Sequence, residues 1–84
     1  MKKTTYTVTR FDVDDEFYVE VSPSTDDKGK ETYDFVLCKE NYEIKELMFR
    51  LYASDYQPSE WEDVIEANVD EYIENFIENM DIDF

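Results

Sequence analysis

Trp61, Ile65, Val69, Tyr72, Phe76 and Met80 recur at spacings of three and four residues, the period of one face of an α-helix. A stripe of this kind is not stable alone in water, because most helix stability in proteins comes from packing an apolar face on another layer. The pattern therefore predicts a long amphipathic helix over 59–80, and it requires the rest of the chain to supply a surface that covers the stripe. Its start is signalled by Ser59-Glu60-Trp61-Glu62, a capping box in which the Ser59 hydroxyl accepts from the Glu62 N–H and the Glu62 carboxylate reaches back, with Pro58 just outside.

The first forty residues read as that surface. In Phe17-Tyr18-Val19-Glu20-Val21 and again in Tyr33-Asp34-Phe35-Val36-Leu37 the odd positions are all apolar, the period-two mark of half-buried strands. Tyr6 and Val8, set among Thr5, Thr7 and Thr9, predict an earlier strand. Breaks fall at Asp12 to Glu16 and at Ser22 to Lys30, which holds Pro23 and the only glycine, Gly29. Connections this short favour antiparallel neighbours. Ile44, Leu47, Met48 and Leu51 lie at i, i+3, i+4 and i+7, which predicts a further helix over 41–53, ended by Ser54 to Pro58. The expected fold class is α+β: a three-stranded antiparallel meander over 1–40 followed by two helices packed on one face. With 84 residues the chain is expected to form a single domain, 1–84.

Charge is distributed unevenly along this framework. Eight Lys and Arg against 23 Asp and Glu give a formal net charge of -15, far beyond the roughly 2 to 8 charges that keep a small domain soluble. Residues 1–50 hold all eight bases and twelve acids, a balance of -4, whereas residues 51–84 hold eleven acids and no base, a balance of -11. At about 100° per residue, Asp63, Glu66, Asp70, Glu71, Glu74 and Glu78 fall in one sector opposite the apolar stripe. Glu66, Asp70, Glu74 and Glu78 are successive i, i+4 like-charge neighbours, each pair destabilising by a few tenths of a kcal/mol. Asp81 and Asp83 continue the acids toward the negative end of the helix dipole, where cations are preferred. An ordinary surface helix intersperses Lys or Arg, and this one does not. Its anions repeat about every 6 Å, a spacing on the scale of a nucleic-acid strand with one phosphate per roughly 3.4 Å. Asp12, Asp14, Asp15 and Glu16 form a second acidic cluster that extends this face or enters a base-reading pocket where Arg meets guanine. Tyr18, Tyr42 and Tyr56 are candidate stacking or anchor contacts.

Other classes are disfavoured. Without His the commonest general base is missing, and one Cys and one Gly leave no Cys-rich metal site or glycine-rich phosphate loop, so no enzymatic activity, cofactor or metal is expected. Asp12, Asp14 and Glu16 alternate as in a calcium loop, but the glycine and the final Glu of an EF-hand are absent. The abundance of Ile, Tyr, Phe, Asn and Lys is unlike a salt-adapted proteome. The single Cys38 forms no internal disulfide and fits a reducing compartment. No run of about 18 apolar residues occurs, and Met1-Lys2-Lys3 leads into Thr4, Thr5 and Tyr6 without a signal-like segment, so a cytoplasmic location with no membrane association is expected.

With acids along Asp63 to Glu78 and Asp12 to Glu16 on a compact sheet-and-helix body, the chain resembles the small, strongly acidic inhibitors carried by phages and other mobile elements. These include anti-CRISPR proteins and other DNA mimics. The resemblance implies an inhibitor that occupies the DNA- or RNA-binding groove of a host nuclease, with a type II RNA-guided effector as first candidate partner because its duplex-reading surface is rich in Arg and Lys. It implies no direct binding of nucleic acid by this chain. An immunity protein or antitoxin neutralising a basic toxin nuclease needs the same surface, as does an acidic accessory subunit of a DNA-binding protein. A monomer or weak homodimer is expected, the latter through an outer sheet face carrying Tyr18, Val36 and Cys38.

Overall fold

The computed structural model describes the backbone of residues 2–5 and 8–82 and the side chains of residues 8–79. Five strands, β1 (Lys2–Thr5), β2 (Thr9–Asp12), β3 (Phe17–Thr25), β4 (Glu31–Lys39) and β5 (Glu46–Tyr52), are followed by one helix, α1 (Trp61–Ile82). The strands lie in the sheet in chain order, each antiparallel to the next. The α+β class and the antiparallel meander hold, but among the described residues the sheet has five strands rather than three and there is one α-helix rather than two.

The region 41–53, read above as a helix, is instead a loop and strand β5. Its i, i+3, i+4, i+7 spacing is coincidental, since two members of that supposed stripe, Ile44 at 58% and Leu47 at 54% exposure, point to solvent. A β-bulge on β5 hides the strand signal. Phe35 pairs with Phe49 while Val36 pairs with Leu47, so Met48 is an extra residue and the two-residue alternation is broken there. The chain enters this loop through Asn41, held at φ 61, a left-handed turn that Asn tolerates better than most residues.

At the other end, Val8 lies at a bend rather than in a strand, and Tyr6 lies outside the described residues. The expected break at Ser22 begins only after Thr25. Pro23 lies within β3 opposite Tyr33 of β4, past the last described β2 pair, Thr9 with Val21. The β3–β4 turn is built on Asp26, whose Oδ1 accepts from the N–H groups of Lys28 and Lys30 at 2.8 and 2.9 Å. Gly29 supplies the left-handed residue there, with φ 82.

One sheet face is apolar. Phe11, Phe17, Val19, Val21, Phe35, Leu37 and Met48 are buried together with Trp61, Ile65, Val69 and Phe76 of α1, with Tyr33, Phe49, Leu51 and Tyr72 packed against them. Edge-to-face rings run along the seam: Trp61 against Tyr33 and Phe35, Tyr72 against Phe49, and Phe76 against Phe17 and Tyr42. Burying four large side chains of α1 contributes roughly 1.5–3 kcal/mol each. That outweighs the few tenths of a kcal/mol lost at each like-charge pair on its outer side, which explains why an uncompensated acidic helix holds its place. The predicted capping box does not form. Pro58–Glu60 is a single 3-10 turn with no side-chain cap, and the Glu60 N–H donates to the Gln57 carbonyl at 2.9 Å.

Candidate protein-docking surface

Because Trp61, Ile65, Val69 and Phe76 point into the core, helical periodicity sends Asp63, Glu66, Asp70, Glu71, Glu74 and Glu78 outward, and every one of them is exposed. Among the described residues, none of the six makes a salt bridge. Glu62 is also exposed and unpaired, released from the expected cap. Glu62 and Asp63 sit favourably in the first helical turn, but the last turn carries no base. The 22-residue helix is about 33 Å long by its rise per residue, against a longest molecular extent of 40 Å. The described carboxylates, Glu62 to Glu78, therefore run along about 24 Å of the helix. Asp83 and the side chain of Asp81 lie outside the described residues.

The bases whose ion pairs are described sit on the opposite side of the molecule. Arg10 binds Asp12 at 2.7 Å and also Glu40, Lys45 binds Glu20 at 2.8 Å, and Arg50 binds Asp34 at 2.6 Å. All of these residues project from the sheet face turned away from α1 or from its margin. Burial works to raise the Glu20 carboxyl, but hydrogen bonds from Lys45 and Cys38 outweigh it and hold Glu20 below its ordinary range. Arg10 stacks on the Tyr18 ring, 3.8 Å from its centroid. These three bases are thus consumed pairwise on one face, while on the α1 side Lys39 stands over the Phe17 ring, 6.0 Å from its centroid, and α1 itself carries no base.

The second cluster divides. Asp12 is engaged by Arg10 and is not a free anion. Asp14 is a turn residue whose Oδ1 accepts from the N–H groups of Glu16 and Phe17, both at 2.8 Å. Asp15 and Glu16 remain exposed. Phe17 ends this turn and touches Phe76, which places the turn at the end of the sheet under the second half of α1. Of the three tyrosines, Tyr18 is half-buried beneath Arg10 and Tyr42 packs on Phe76, so only Tyr56 stays exposed.

Sequence reasoning missed Ile77. At 45% exposure it stands outside the buried stripe, one turn from Glu74 and beside Glu78. Its signal was available, as an apolar residue one position after Phe76 that cannot share the Phe76 face.

Open hollows lie around the β3–β4 hairpin, such as that lined by Pro23, Ser24, Thr25, Glu31, Thr32 and Tyr33. No described helix is long and apolar enough to cross a membrane. The chain matches no protein-family profile, no curated protein and no solved structure.

Proposed function

We propose that this protein is a nucleic-acid-mimicking inhibitor that lays α1 along the basic groove of a host nuclease, its carboxylates taking the places of phosphates. One observation carries this reading: seven exposed carboxylates on α1, from Glu62 to Glu78, stand without a cation on the helix, while the described ion pairs gather on the far face. Arg and Lys that evolved to hold phosphates form charge-assisted bonds with carboxylates equally well. Ile77 supplies an apolar anchor within the acidic field, and Asp15 and Glu16 extend that field at one end. The mechanism is competitive occlusion without catalysis, in which inhibitor and nucleic acid exclude each other. A type II RNA-guided effector is the first partner to test.

The test is a competition assay. Nuclease binding to a labelled duplex should be displaced by this protein, and displacement should weaken by about tenfold or more between 50 and 200 mM salt, as expected for contacts made by charge. The double variant Asp70→Lys/Glu74→Lys should lose inhibition. Inhibition unchanged by that double reversal would remove α1 from the contact and end the reading.

A further inference from the structure

Among the described residues, none forms a second layer on the sheet face turned away from α1. Register places four cross-strand rows on that side: Asp12 and Tyr18 beside Cys38; Arg10, Glu20, Val36 and Leu47; Ser22, Asp34 and Arg50; Ser24 and Tyr52 beside Thr32, with Cys38 and Thr32 themselves covered by their neighbours and buried. We infer that this face is where two copies of the chain meet back to back, leaving the two α1 helices outermost on opposite sides.

Charge selects a second copy as the occupant. Two chains of net charge -15 repel strongly in any approach that brings their acidic helices together. On the outer sheet face Arg10, Lys45 and Arg50 stand against Asp12, Glu20, Asp34 and Glu40, all seven held in ion pairs. That face is therefore close to neutral, and a two-fold copy presents the same mixed pattern to it, so residual charges can pair across the contact.

The same face carries the apolar surface that such a contact needs. Leu47 is 54% exposed and lies beside half-buried Val36 in one row. Ile44, 58% exposed, stands at the margin next to Lys45, whose ammonium reaches Glu20. Three of the five exposed large apolar residues, Ile44, Leu47 and Tyr52, belong to this face or its edge. At about 4.8 Å between strands and about 3.4 Å per residue, the 4, 9, 9 and 7 residues of β2, β3, β4 and β5 make a patch of roughly 470 Å² per copy. Roughly 950 Å² in total falls below the standard size of specific interfaces, so a weak, reversible dimer is expected.

This inference does not rest on nucleic-acid mimicry, and its salt dependence has the opposite sign. Screening weakens repulsion between the acidic copies, so the dimer should tighten as salt rises, whereas the complex with a nuclease should loosen. Sedimentation equilibrium from about 5 μM to about 1 mM protein, at about 50 and 500 mM NaCl, reads this directly. The expected result is a monomer–dimer equilibrium that tightens at the higher salt and is weakened at least tenfold by Leu47→Asp and separately by Ile44→Asp. Both side chains are solvent-facing, so thermal melts should show the fold retained. Asp70→Lys on α1 should not weaken the dimer. A monomer throughout the range at both salts overturns the inference, as does a dimer that survives both Leu47→Asp and Ile44→Asp. Mimicry fails by a separate readout, loss of competition in the nuclease assay.

Discussion

Replacing Asp70 by Lys should stabilise the fold while damaging the proposed contact. Asp70 lies four residues from both Glu66 and Glu74, and all three are exposed and unpaired. Four residues of helix rise separate neighbours by about 6 Å, and two unit charges at that distance in water interact by about 0.7 kcal/mol. Flexible side chains splay apart, so measured pairs on helices are worth only about 0.2–0.5 kcal/mol. The lysine converts two repulsions into two attractions, each a change of about 0.6 kcal/mol, for a gain of about 1 kcal/mol at low ionic strength. In a domain of this size that raises Tm by about 4–8 °C. At about 1 M salt the Debye length falls to about 3 Å, half the separation, and most of the gain should vanish. Thermal melts followed by circular dichroism at low and high salt, with Asp70→Asn as a neutral intermediate, measure this. A lysine variant no more stable than the parent at low salt, or one whose gain persists undiminished at high salt, would refute the picture of an uncompensated carboxylate row.

Three further outcomes follow from the packing. Trp61→Ala removes a ring that touches Phe11, Tyr33 and Phe35, and should cost about 3–5 kcal/mol in urea unfolding, a large fraction of the stability of a small domain. Asp14→Ala strips the acceptor for two turn N–H groups and should cost about 1 kcal/mol while leaving nuclease inhibition intact, because this carboxylate serves the turn. Burial, aided by the bond to Glu20, pushes the Cys38 thiol from 9.0 up to about 12. A raised pKa favours the neutral thiol in the native state, so its contribution is complete below pH 9 and is lost as pH climbs toward 12. Native protein should resist a thiol reagent at pH 8, react after denaturation, and melt at progressively lower temperature through the alkaline range. Rapid labelling of the native protein would contradict the burial.

The sequence made the long helix legible because burial enforces a strict period: every third or fourth residue from Trp61 to Phe76 meets the sheet, and the carboxylates are left on the remaining arc. It made β3 and β4 legible for the same reason at period two. It failed at β5, where one inserted residue, Met48, shifts Leu47 outward and brings Met48 and Phe49 inward together, producing a helix-like spacing in a strand. The alternation Phe49-Arg50-Leu51-Tyr52 was the surviving clue. The capping box failed because Pro58 favours a tight 3-10 entry that leaves Ser59 and Glu62 exposed. For the acidic surface, exposure followed from periodicity, but the capture of Asp12 by Arg10 depends on cross-strand geometry that linear order does not display.

Each strand of the sheet pairs with its neighbour in the chain, so the sheet closes only short loops, and its inner face relies chiefly on α1 for cover among the described residues. Any excursion that lifts α1 bares Phe11, Val19, Val21, Phe35 and Leu37, a flat apolar sheet of the kind that sticks to others of its sort. The segment that has just swung free is densely anionic. It forms a charged brush around that bared sheet, keeping neighbouring molecules apart until the helix settles again.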